Sequence, residues 1–123
     1  MLPSDSDANQ FVGDIRSELD KALSYIEEMT FEEFQEDSRT FHAVEKVVQN
    51  AIEACIRLER QRKNKGMFTR LFPDFDFDDL KSIADFGRHD YSAVEPIDLW
   101  NSVHGTLTDL RNAAEALLAK KRH

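Results

Sequence analysis

Apolar residues recur at intervals of three and four along most of the chain. That spacing is the signature of helices that bury one stripe. The first stripe is Phe11, Val12, Ile15, Leu19, Ala22, Leu23, Ile26 and Met29. It predicts a helix from about Ser6 to Met29, with N-cap candidates between Ser4 and Asp7. Thr30-Phe31-Glu32-Glu33 then reads as a capping box, a hydroxyl followed three residues on by Glu. It opens a short helical turn that carries Phe31 and Phe34. Asp37 or Ser38 can cap a second long helix, about Arg39 to Asn64. Its stripe is Phe41, Val44, Val47, Val48, Ala51, Ile52, Cys55 and Leu58, and Gly66 is the stop signal.

Met67 to Asp76 reads as a connector containing Pro73. Phe77 to Phe86 is a shorter helical segment, capped by Asp76 and ended by Gly87, and Arg88 to Glu95 is a corner. Pro96 suits the first turn of a last helix, where its missing N–H costs nothing. That helix carries Ile97, Trp100, Val103, Leu107, Leu110, Ala114 and Leu117 on one face, and Lys120, Lys121 and Arg122 complement its C-terminal dipole. No run alternates with period two. Long helices with short connections pack as antiparallel neighbours. The expected fold is therefore all-α, an up-down helical bundle of four main helices plus short helical turns. Residues 1–123 are expected to form one domain, with 1–5 and 119–123 as flexible ends. Such a bundle by itself implies no function.

Composition narrows the picture. The net charge of −8 is unlike that of a generic nucleic-acid binder, because phosphate contacts need Lys and Arg. Any RNA role must rest on a local patch. One candidate exists: Arg57, Arg60, Arg62, Lys63, Lys65 and Arg70 fall close together, against the single acid Glu59. These cations either complement a helix C-terminus or form a patch for RNA phosphates or an acidic partner. The run Asp74, Asp76, Asp78 and Asp79 follows closely and would repel phosphate unless it faces elsewhere. The lone Cys55 allows no disulfide within the chain, which suits a reducing cytosol. The first residues show no basic region or apolar run of a signal peptide, and nothing approaches the ~20 consecutive apolar residues of a membrane span. The expectation is a cytoplasmic protein with no membrane partner.

Few side chains suggest chemistry. Cys55 lies on an apolar stripe and reads as core. His42 sits off its stripe and reads as solvated. His104 flanks the stripe of the last helix and reads as a half-buried structural histidine. No pair shows the i, i+4 spacing of a metal-binding helix, so neither metal nor cofactor is expected. His89 differs, because it stands in the corner Arg88-His89-Asp90-Tyr91 rather than on a stripe. Polar residues on a corner held by a rigid scaffold are a common seat of function, and an imidazole with pKa ~6.5 exchanges protons near neutral pH.

The chain also resembles a known family. Phe72-Pro73, Phe77, His89-Asp90-Tyr91 and Trp100 stand, in order and without a gap from Pro73 to Trp100, where HepT-like proteins of the HEPN group carry an aromatic-proline pair, an aromatic, a His-x-Tyr and a tryptophan. Phe31-Glu32-Glu33-Phe34, Ala43-Val44 and Glu53-Ala54 resemble motifs of that family's first half. The likeness spans roughly residues 8 to 118. One departure stands out: the family's arginine, five residues before the histidine, falls at Ala84, while Asp85 fits the polar residue that follows it.

The resemblance implies RNA cleavage without metal, by attack of the ribose 2′-oxygen on the neighbouring phosphate. His89 would be the acid/base and Arg88 a stand-in for the missing arginine, with Asp85 beside them. It also implies a homodimer in which two copies of the motif share a cleft, and a toxin silenced by a nucleotidyltransferase antitoxin that adenylylates the tyrosine, here Tyr91. Two other readings stay open: a catalytically degenerate HEPN dimer that binds a partner protein, and a nucleotide-binding module.

Overall fold

The computed structural model describes residues 3–84 and 95–121. Among these residues the chain forms seven helices and no strand: α1 (Pro3–Ile26), α2 (Phe31–Glu36), α3 (Ser38–Glu59), α4 (Met67–Leu71), α5 (Phe77–Ala84), α6 (Pro96–His104) and α7 (Thr106–Lys121). This is the expected all-α bundle. Its frame is α1, packed chiefly against α3 and then α7. Both partners run antiparallel to α1. Glu18 meets Asn50 of α3 at 2.9 Å, and Arg16 meets Glu115 of α7 at 2.8 Å. Arg111 donates to Asp20 at 2.6 Å, which extends the polar seam between α1 and α7.

The predicted stripes form the core. Val12, Ile15, Leu19, Ala22 and Ile26 of α1 are buried against Val44, Val47, Val48, Ala51, Ile52, Cys55 and Leu58 of α3. Burial of each large aliphatic side chain contributes roughly 1.5–3 kcal/mol, so these two helices supply most of the drive to fold. The first expected boundary shifts. α1 stops at Ile26 rather than Met29, because Thr30 must adopt extended backbone (φ −83, ψ 164) to cap α2. That capping box is complete: Thr30 Oγ1 accepts from Glu33 N at 3.1 Å, and Glu33 Oε1 accepts from Thr30 N at 2.8 Å.

Three further expectations are corrected. The second long helix ends at Glu59 rather than Asn64. The chain then loops back so that Gly66 N donates to Glu59 O at 2.9 Å. Gly66, at φ 78, begins the next element instead of simply stopping the last one. The supposed connector holds the short helix α4, anchored by Phe68, which is fully buried. The last helix is two helices, broken at Gly105. A Cβ at Gly105 would lie 3.0 Å from Asn101 O. The break also changes which side chains face inward: Leu99 and Val103 are buried, whereas Ile97 is 40% exposed.

Candidate functional site

The corner between α5 and α6 carries Asp85, Arg88, His89 and Tyr91, and all four lie outside the described residues. The structure supplies the two stems that hold this corner. α5 starts from an Asp76 cap, whose Oδ1 accepts from Asp78 N at 2.9 Å and Asp79 N at 3.2 Å. Leu80 pins it to the core at 1% exposure. Phe77 packs on Phe68 of α4 with ring centroids 5.7 Å apart, and Lys81 Nζ stands over the Phe77 ring at 5.2 Å. α5 closes at Ala84.

The second stem, α6, begins with Glu95 as N-cap and Pro96 in the first turn. Trp100 locks it to α2, with ring centroids 5.8 Å from Phe31 and 5.3 Å from Phe34. Each stem therefore has its own aromatic anchor. An aromatic pair of this kind adds ~0.5–1.5 kcal/mol beyond the area it buries, so each of the two helices is anchored to its neighbours.

The predicted basic cluster is brought together as one exposed surface where α3 turns into α4. Arg57, Arg60, Arg62, Lys63, Lys65 and Arg70 are all exposed. Arg57 faces Glu53 at 3.7 Å. Arg70 Nη2 donates to Lys65 O at 3.1 Å, which ties α4 to the loop. The single acid of the stretch pairs with none of these cations. Glu59 accepts from Thr69 N and Thr69 Oγ1, each at 2.9 Å, and so serves as a cap for α4. The acidic run at Asp74, Asp76, Asp78 and Asp79 is also exposed, at the start of α5.

The remaining histidines take plain roles. His42 is exposed as expected, its Nδ1 3.3 Å from Glu45. His104 is exposed, not half-buried as expected, because the break at Gly105 ends α6 there. Its Nδ1 lies 2.9 Å from Trp100 O, and its ring packs on Trp100 at 4.3 Å. Cys55 is fully buried, and burial pushes its thiol well up from the ordinary range, so it stays protonated and unreactive. Among the described residues no three His, Cys, Asp or Glu side chains converge as a metal-ligand set, and no helix is long and apolar enough to cross a membrane.

One surface escaped the sequence pattern. At the end opposite the basic corner, Glu27, Glu28, Glu33, Glu36 and Asp37 line an open depression of about 530 Å³ with Ser24, Tyr25 and Met29. The lining residues all fall between positions 24 and 37, at the end of α1, in the turn after it, on α2 and at the Asp37 cap, so their charge is visible along the chain while the concavity comes from the turn between the two helices.

Against known families, Ribonuclease HepT-like matches residues 15–117. That span includes both stems, the corner between them and the basic surface. No curated protein and no solved structure matches the chain.

Proposed function

Because the chain belongs to the HepT-like ribonuclease family, we propose that it cleaves RNA from the corner between α5 and α6, as the toxin of a toxin–antitoxin pair in the cytoplasm. The observation that carries this reading is that the family match runs through His89-Asp90-Tyr91. In the proposed reaction an imidazole takes the proton of a ribose 2′-hydroxyl. The 2′-oxygen then attacks the adjacent phosphorus, and the bond from phosphorus to the 5′-oxygen breaks. The leaving 5′-oxygen takes a proton, so the products are a 2′,3′-cyclic phosphate and a 5′-hydroxyl. In a homodimer two copies of His89 share one cleft, one accepting and one donating a proton. An unperturbed imidazole near pKa ~6.5 populates both forms close to neutral pH. Arg88 is the proposed stand-in for the missing arginine, its fork matching phosphate oxygens in pairs, and Asp85 is its proposed companion in this step.

Tyr91 is the proposed control point. A nucleotidyltransferase partner would join its phenolic oxygen to the α-phosphorus of ATP, with pyrophosphate as leaving group. The adduct places negative charge two residues from His89 and repels the RNA backbone.

A second reading has a specific observation in its favour. Alanine stands at position 84, where the resemblance calls for arginine. A preorganised donor to a developing charge is commonly worth ~10²–10³-fold in rate. Without it the chain would be a degenerate relative whose dimer serves protein binding. One experiment separates the two readings. Purified protein is incubated with RNA beside His89→Ala and Ala84→Arg variants, and products are scored for 2′,3′-cyclic phosphate ends. The catalytic reading expects cleavage by the natural sequence and a loss of ~10²–10⁴-fold in His89→Ala. Cleavage by Ala84→Arg alone would establish the degenerate reading.

A further inference from the structure

We propose that the basic surface at the α3–α4 turn grips the sugar-phosphate backbone of the RNA strand that enters the α5–α6 corner, at a point one short helix away from it. The inference rests on the RNA-cleaving reading above and adds a second, separate RNA contact to it.

The charges make the first argument. Among the described residues, no hydrogen bond or ion pair engages the side chains of Arg60, Arg62, Lys63 or Lys65. Four cations elsewhere are paired with carboxylates of the fold, Arg16 with Glu115, Lys21 with Glu18, Lys81 with Asp78 and Arg111 with Asp20, while Arg39, Lys46 and Lys120, unpaired among the described residues, are scattered over α3 and α7 and not clustered. Glu59 keeps its charge, but its oxygens are engaged by Thr69 and it forms an ion pair with none of these cations, which outnumber it. In a chain of net charge −8, a contiguous set of unpaired cations is a strong local field of the opposite sign.

The second argument is the kind of partner such a surface suits. A protein–protein interface centres on apolar or aromatic groups with a polar rim. Phe68 and Phe72 lie beneath this surface at 0% and 1% exposure. The large hydrophobic side chains exposed among the described residues are Tyr25 and Ile97, neither of them at this turn. Met67 and Leu71 of α4 turn to a small apolar pocket against α1 and α7, and the cationic arms themselves surround no large exposed apolar side chain, which matches a phosphate backbone that asks for charge and not for a pocket.

The third argument is position. α4 and the start of α5 are joined by the Phe68–Phe77 contact. α5, Phe77–Ala84, has eight residues and so spans about 12 Å at 1.5 Å per residue. The basic surface thus lies near the start of α5, and the chain passes from the other end of α5 into the stretch that contains His89.

The test measures binding apart from chemistry. 2′-O-methyl RNA, which cannot be cut by 2′-oxygen attack, is titrated with the full chain across a range of salt. Two triple variants remove equal charge: Arg62→Gln/Lys63→Gln/Lys65→Gln at the surface, and Arg39→Gln/Lys46→Gln/Lys120→Gln elsewhere. All six side chains are exposed, and circular dichroism verifies that both variants fold. The surface variant should bind more weakly, with the slope of log affinity on log salt reduced by about 2, from three lost phosphate contacts at ~0.7 each. The distant variant should retain the natural slope. Equal slopes in the two variants would overturn the proposal, as would tighter binding of an acidic peptide than of RNA through the same three residues. If the slopes differ but unmodified RNA is never cut, the anchor stands and the catalytic reading alone falls.

Discussion

The two ends of the bundle are built alike and charged oppositely. At each end a short helix sits on an aromatic cluster beside a terminus of α3. At one end α2 packs Phe31 and Phe34 against Trp100. At the other, α4 packs Phe68 against Phe72 and Phe77, with centroids at 4.9 and 5.7 Å. The first end presents Glu27, Glu28, Glu33, Glu36 and Asp37, and the second presents the Arg and Lys surface. Helix dipoles account for part of this division, since acids favour the start of α3 and cations its end. They do not account for Glu27 and Glu28, which follow the end of α1, a helix with no basic residue in its last turn. Acids placed there gain nothing from the dipole. The division of charge is therefore more than a by-product of helix direction, and the shared aromatic support leaves surface charge as what distinguishes the ends.

If the two clusters are equivalent supports, removing either should cost the same. Phe34 and Phe68 are both fully buried, so Phe34→Ala and Phe68→Ala should each lose about 3–5 kcal/mol in urea unfolding. A much smaller loss for one of them would break the likeness and show that end to be the softer. A smaller effect is expected at the turn beneath the basic surface. Gly66 adopts φ 78, and no atom lies within 4 Å of where a Cβ would stand, so Gly66→Ala meets backbone strain but no clash. It should cost about 1–2 kcal/mol, readable as a lower urea midpoint. A neutral result would show that the turn relaxes easily and that its cations are not held in register.

Particular elements show how far the sequence could be read. The stripes of α1 and α3 were legible because each keeps its period over many turns, and the structure buries them as a unit. The break at Gly105 was hidden, because the apolar spacing runs on from Val103 to Leu107 as if one helix continued. Its signal was Gly105 itself, followed by Thr106 and by Thr108, whose Oγ1 donates to Val103 O at 2.6 Å. α4 was invisible because five residues are too few to display a period. The basic cluster could be counted from the chain, but the engagement of Glu59 by Thr69 could not, since it depends on the fold of the turn between them. For the corner itself, His89 stood out by lying off every apolar stripe, whereas Tyr91 and the separate roles of the two came from family likeness, and nothing in periodicity or charge would have given them.

The smallest of these effects tests the acidic end by pH. Asp37 caps α3, with Oδ1 accepting from Thr40 N at 3.0 Å and Oδ2 from Thr40 Oγ1 at 2.8 Å. The backbone N–H of Thr40, followed by its hydroxyl, favours the charged carboxylate and holds Asp37 below the ordinary 3.8. The folded pKa is thus lower than the unfolded one. The cap's ionic contribution is complete above about pH 3.8 and is lost as pH falls through the folded value. Asp37→Ala should therefore lower Tm at neutral pH, and the gap from the natural chain should narrow as pH drops below that window. Gly66→Ala, at the basic end, removes no titrating group, so its Tm deficit should stay constant over the same range. A deficit for Asp37→Ala that is flat with pH would mean that the hydrogen-bond geometry, and not the charge, supports α3 at its acidic end. The ends would then differ in what they display to solvent and not in how they are held.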